Sequence, residues 1–234
     1  MSNSCKVWSQ GNTLCQQFNK FCTLSFSFEE TKECLLTSST IEGPFYLPNS
    51  IVRKDIRENQ PGLPLHLMLK IVDVGGCRPI ANAAVDIWHA NAFGVYSGYE
   101  GVDLPPIDLL YLEEVPHIEP INNLTFLRGR QYTDQDGLVE FFTIFPSWYE
   151  FRTVHIHIKV FVEGRNLLTT QLFFPQDLNC RIQSTQPYNV RSLSPFTNAN
   201  DTVLRDSHGV QGGWPRTIQR GTSFTSTLTI GVYP

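Results

Sequence analysis

Arg152-Thr153-Val154-His155-Ile156-His157-Ile158-Lys159-Val160-Phe161-Val162 is the stretch on which the reading of this chain turns. In an extended strand, side chains at i and i+2 share a face. Val154, Ile156, Ile158, Val160 and Val162 then make one apolar face, and His155 and His157 stand side by side on the other. Two imidazoles held in this way can offer two nitrogens to one metal ion. Imidazole suits zinc, copper, nickel and iron alike, so the pair does not name the metal. An isolated pair is more often two polar residues on a solvent-facing strand, so the rest of the chain must decide.

Working outward, the same alternation recurs. Leu65, Leu67, Leu69 and Ile71 alternate with His66, Met68, Lys70 and Val72, and Gly75-Gly76 follows as a turn. Ala84–His89, Leu138–Ile144 and Leu167–Phe174 read as further strands. Phe224, Ser226, Leu228, Ile230 and Val232 give a last one. Thr133-Asp134-Gln135-Asp136-Gly137 is turn chemistry. The stretches 94–120 and 176–221, rich in Pro or in Ser, Asn and Gln, read as long excursions. The expected fold is all-β, a β-sandwich of mainly antiparallel strands with long loops. Residues 41–234 form its single domain, and 1–40 form a Cys-rich N-terminal segment with a short helix near Glu29–Leu36.

Composition narrows the function. The 234 residues carry a net charge of −4, and 17% are charged, below the usual quarter. That balance argues against nucleic acid as a partner and points to small molecules. No apolar run has the length of a membrane span. Cys5, Cys15, Cys22 and Cys34 crowd the N-terminal segment, with Cys77 and Cys180 further on. An even cysteine count and the sequons at Asn123 and Asn200 suggest a disulfide-tied, extracellular protein.

A metal site needs more than two histidines. Tyr149 lies shortly before the His strand, and Tyr96 follows the strand ending in Trp88-His89. Phenolates are hard, charged donors that suit an ion such as Fe(III). With 8 tyrosines in the chain, spacing does not choose among them, and Tyr99 rivals Tyr96.

A family resemblance does choose. Glu42-Gly43-Pro44-Phe45-Tyr46, Val85-Asp86-Ile87-Trp88-His89-Ala90-Asn91, Gly94-Val95-Tyr96-Ser97, Thr133–Gly137 and the run from Pro146 to His157 resemble the intradiol ring-cleavage dioxygenases. These are the catechol and protocatechuate 3,4-dioxygenases. The resemblance implies one non-haem Fe(III) ion held by Tyr96, Tyr149, His155 and His157 on a β-sandwich. It makes Tyr149 and His157 axial, with Tyr96 and His155 equatorial beside a hydroxide. It implies cleavage of catechols with O2 to cis,cis-muconate-type products. Tyr149 takes a proton from the diol, Arg152 steadies negative charge on the ring, and Gln171 orients the substrate. Ile41 and Pro44 match positions lining the substrate pocket.

By strict alternation Arg152 would face away from the histidines, so a bend or bulge near Thr153 is required. The chain also departs from the family's pattern. Trp148 stands beside Tyr149 where a Pro-Gly-x-Tyr run is common, and Thr153-Val154 replace a Pro-Ala pair. The N-terminal segment lacks the helical dimerisation region of the catechol branch, so a monomer is expected. Two rivals remain: a non-enzymatic secreted sandwich of the transthyretin-like kind, and a zinc hydrolase built on the two histidines. The second lacks a third ligand at a useful spacing.

Overall fold

The computed structural model describes residues 34–48, 50–102 and 118–234. Among these residues nine strands run in the order β1 (Pro64–Asp73), β2 (Arg78–Pro79), β3 (Ala84–Trp88), β4 (Arg128–Tyr132), β5 (Leu138–Ile144), β6 (His155–Val162), β7 (Arg165–Phe173), β8 (Arg216–Arg220) and β9 (Ser223–Val232). Two short helices, α1 (Gln176–Gln183) and α2 (Thr202–Asp206), and a 3-10 turn at Tyr188–Val190 lie between β7 and β8.

The strands form two sheets. In one, β1 pairs in parallel with β9 along one edge and antiparallel with β5 and β2 along the other, and β8 pairs antiparallel with the outer edge of β9. The other sheet has the order β4-β3-β6-β7, antiparallel throughout. Leu65, Leu67, Leu69 and Ile71 of β1 meet Val85 and Ile87 of β3 and Ile156, Ile158 and Val160 of β6 in one inter-sheet core. The alternation seen in the sequence is thus the alternation of core-facing and outward-facing side chains. The expected all-β sandwich is the observed fold.

Three details differ from the sequence reading, each for a physical reason. β4, Arg-Gly-Arg-Gln-Tyr, has no apolar pattern because its outward side chains serve as polar clamps: Arg130 pairs with Asp86, and Arg128 reaches Ser97 and Phe45. β8, Arg-Thr-Ile-Gln-Arg, is a polar edge strand, which protects a sheet from unwanted pairing. The excursion 176–221 contains both helices. Asp201 caps α2, its side chain accepting a bond from the Leu204 amide.

The expected helix at Glu29–Leu36 falls mostly outside the described residues. Its end is extended, with Leu36 bridging to Gly231. Cys34 is disulfide-bonded to Cys77 in the β1–β2 turn, tying the N-terminal segment to the sandwich, and Cys180 is disulfide-bonded as well. No helix among the described residues is long and apolar enough to cross a membrane.

Candidate metal centre

β6 is buried on both faces. Its apolar residues enter the core, and His155 and His157 lie beneath a second layer of loops, 2% and 1% exposed. That burial removes the solvent-facing reading of the pair. The covering layer is an aromatic cluster of Phe45, Tyr46, Trp88, Tyr96, Tyr99 and Tyr149.

Each piece has a local cause. Antiparallel pairing of β3 with β6 sets Trp88 opposite His157, and their rings stack at 4.7 Å with 10° between planes. Gly43 adopts φ +77°, and a Cβ there would come within 3.4 Å of His157 Cε1, so the Glu42-Gly43-Pro44 loop closes directly over that imidazole. The Tyr96 segment is held by buried Arg128, which donates to Ser97 Oγ at 2.8 Å, Ser97 O at 2.9 Å and Phe45 O at 2.5 Å.

The break in alternation before His155 is a tight turn. Tyr149 and Arg152 bridge across it, and Phe151 takes a left-handed φ of 69°. Arg152 is therefore not on the strand. Its guanidinium is carried to the histidine side, where Nε donates to Asp201 at 2.9 Å and Nη2 to Gln171 Oε1 at 2.5 Å. Gln171, opposite His157 on β7, donates in turn to Ile41 O at 3.0 Å.

The donors converge. His155 Nε2 lies 3.0 Å from His157 Nε2 and 3.5 Å from the Tyr96 hydroxyl. The Tyr149 ring is 5.4 Å from Tyr96 and 5.5 Å from His155, centre to centre. Tyr99, the rival tyrosine, turns its hydroxyl away to Ile118 O at 2.9 Å. His89 is also occupied elsewhere, bonding Ala90 O and Thr143 Oγ1.

Protonation states leave these donors open to a metal ion. Burial, with help from Arg152, lowers His155 to about 3, and burial, with help from His155, puts His157 well below its ordinary value. Both imidazoles are thus neutral with lone pairs to give. His155 Nδ1 bonds Thr153 O at 2.7 Å, which fixes the tautomer with Nε2 bare. The two Nε2 atoms face each other, and among the described residues His157 Nδ1 has no partner. Metal–imidazole bonds are about 2.1 Å, so two nitrogens sharing one ion at a right angle sit about 3 Å apart, the separation found. Burial raises Tyr96 well above its ordinary value, Tyr149 adding to the shift, and raises Tyr149 against the opposing charge of Arg152. Both phenols are neutral unless a cation draws off their protons, which a bound ion does. Among the described residues no three His, Cys, Asp or Glu side chains are grouped so as to hold a metal ion. The available set is therefore two imidazoles and two phenols, a hard donor set suited to Fe(III) and a poor one for a zinc hydrolase.

A cleft of about 190 Å³ opens on Tyr96 and Tyr149, walled by Phe45, Val95 and Val102, with Arg191 at its edge. Phe45 lines it where the sequence pointed to Pro44. Pro44 is buried within the loop, and Ile41 joins the site through its carbonyl.

Fold and donor set together define a β-sandwich with a buried tyrosine–histidine cluster at the base of a cleft. Comparison with known proteins gives this class its family. A sequence model described as Dioxygenase matches residues 41–203. An intradiol ring-cleavage dioxygenase from Tetranychus urticae superimposes with a TM-score of 0.77 at 31% identity, covering 86% of this chain and 96% of that one. The chlorocatechol 1,2-dioxygenase of Rhodococcus opacus is 30% identical over 60% of this chain, and the catechol 1,2-dioxygenase of Acinetobacter baylyi is 30% identical over 58%. Those matches span 57% and 45% of the two bacterial enzymes. The chain belongs to the intradiol ring-cleavage dioxygenase family, whose members are oxidoreductases that use non-haem iron.

Sequence reasoning passed over three residues of this site. Asp201 reads as part of a sequon but is fully buried against Arg152. Arg128 lies in a strand without apolar pattern, and Arg191 in a polar loop. Only the Ser/Thr/Asp-then-apolar signature of a helix start around Asp201 could have flagged the first.

Proposed function

We propose that this chain is a non-haem Fe(III) dioxygenase that cleaves catechol-type diols between their hydroxyls, using O2, to cis,cis-muconate-type products. Tyr96, Tyr149, His155 and His157 are the residues that would hold the iron. The observation that carries this is the convergence of two neutral imidazoles and two phenols on one buried point at the base of a cleft. Bound there, Fe(III) would supply a Lewis acid and template for the ionised diol.

The protein's own groups do the rest. Tyr149 lines the cleft beside Arg152, whose positive charge partly offsets the effect of burial, and once a bound ion has drawn off its proton Tyr149 Oη would be the base placed to take one diol proton. Arg152 is 3% exposed and clamped between Asp201 and Gln171, so its charge is fixed in place before substrate arrives. A preorganised cation of this kind stabilises negative charge developing on the ring. Gln171 spends both ends of its amide on Arg152 and Ile41 O, and so orients the arginine. Phe45 stacks on Tyr96 at 4.7 Å and, with Val95 and Val102, gives the ring an apolar slot that limits water.

The partners are small aromatic diols and O2. The same reading places the protein outside the reducing cytosol. The Cys34–Cys77 disulfide and an exposed sequon at Asn123 support that placement. A non-enzymatic transthyretin-like role draws no support from a buried donor cluster or from relatives that are enzymes.

Oxygen uptake by the iron-loaded protein with catechol and with 3,4-dihydroxybenzoate tests the proposal. Equimolar consumption of O2 and diol, with the absorbance of a cis,cis-muconate, is expected. Absence of uptake on every diol, or the yellow semialdehyde of cleavage outside the hydroxyls, would overturn it.

A further inference from the structure

Four arginines stand around this site, and three are fully matched. Arg130 pairs with Asp86, Arg152 with Asp201, and Arg128 gives three bonds to Ser97 and Phe45. Arg191 is different. Its guanidinium carbon lies over the Trp148 indole, 3.8 Å from the ring centre, and among the described residues the group gives one bond, from Nη1 to Trp148 O at 2.6 Å. Among the described residues no carboxylate forms an ion pair with it. Burial lowers its pKa.

The placement is built. Gly94 has φ +77°, and a Cβ there would lie 2.3 Å from Arg191 Nη1 and 2.4 Å from Trp148 O. Only glycine leaves the slot through which the guanidinium reaches the cleft. Trp148, next to Tyr149 in the chain, supplies the platform. A guanidinium stacked by its face keeps its edge donors available, and that edge matches a carboxylate in two-point geometry. The cleft that Arg191 lines is also lined by Tyr96 and Tyr149 and by the apolar side chains of Phe45 and Val102. Glu150 is also on the rim, exposed, with no ion pair to Arg191.

We propose that Arg191 is a specificity-determining residue, which selects catechols bearing an anionic substituent, a carboxylate foremost, over neutral ones. The inference rests on the dioxygenase reading above and names its substrate class. The diol occupies the Tyr96–Tyr149 end, and the anionic group meets the Arg191 edge.

The test compares kcat/KM for 3,4-dihydroxybenzoate with that for its neutral amide, 3,4-dihydroxybenzamide, in wild type, R191Q and R191K. A charge-assisted bond of this kind corresponds to a preference of about 10–100-fold for the acid in wild type. R191Q should bring the acid-to-amide ratio close to unity, and R191K should keep part of it. Added salt should lower the wild-type ratio. An acid-to-amide ratio equal in wild type and R191Q would overturn the proposal, because that is what a purely bracing role against Trp148 would give. A wild-type preference for the amide would overturn it as well. Lack of O2 uptake with both substrates in iron-loaded wild type would instead sink the dioxygenase reading beneath it.

Discussion

Replacing Asp201 by Asn removes one charge from the most deeply buried ion pair of the site. Asp201 is 0% exposed and Arg152 3%. The carboxylate does three jobs: Oδ2 accepts from Arg152 Nε and from the Thr153 amide, both at 2.9 Å, and Oδ1 caps α2 through Leu204 N at 2.9 Å. Asn keeps the shape and remains a good cap, so the cap itself loses little. What is lost is the only carboxylate paired with Arg152 among the described residues. Removing one partner of a buried pair strands the other charge and costs about 3–5 kcal/mol. At about 2–4 °C per kcal/mol for a chain of this size, the melting temperature should fall by about 6–20 °C.

Acid adds a check of sign. Burial raises the Asp201 pKa, but Arg152, His155 and two amides outweigh it and leave the pKa below its ordinary value. The pair therefore contributes fully above the unfolded pKa, about 3.9, and its contribution is lost as pH falls through the lower folded value. The gap between wild type and D201N should be constant near neutrality and shrink below about pH 4. Urea unfolding of wild type, D201N, R152M and the double variant measures the coupling. The double variant should cost at least 1 kcal/mol less than the sum of the singles, roughly the scale seen for contacting residues. Additive costs, or a D201N loss under about 1 kcal/mol, would refute the idea that Asp201 holds Arg152 in place.

Two further outcomes follow from the same geometry. Removing the Cys34–Cys77 disulfide as C34S/C77S opens a 43-residue separation and should cost about 2–4 kcal/mol, read as a lower urea midpoint; an unchanged midpoint would mean the N-terminal tether carries no stability. Tyr99→Phe removes a bond to Ile118 O and should leave the iron content and any visible band of the iron-loaded protein as in wild type, whereas loss of the band would make Tyr99 and not Tyr96 a ligand.

Much of the fold could be read from period-2 alternation, because β1, β3, β5, β6 and β9 each put one apolar face into the same core. β4 and β8 could not, since edge strands that spend their side chains on ion pairs or solvent carry no apolar signal. In the site, His155 and His157 announced themselves by spacing, and the tyrosines were separable only by resemblance until Tyr99 was found bonded to Ile118 O. Strand periodicity extended past the strand's start at His155 puts Arg152 on the wrong face. The turn at Phe151 resets it. Asp201 and Arg191 come from far along the chain, and no local pattern links either to a histidine strand that begins at residue 155.

The most direct measurement is the visible spectrum of protein carrying one equivalent of iron, alongside Y96F and Y149F. Two tyrosinates on Fe(III) should give the wild type a red-brown charge-transfer band, and each substitution should weaken or shift it. An iron-replete wild type without colour, or a band that neither substitution alters, would contradict the assignment of Tyr96, Tyr149, His155 and His157 as the metal site.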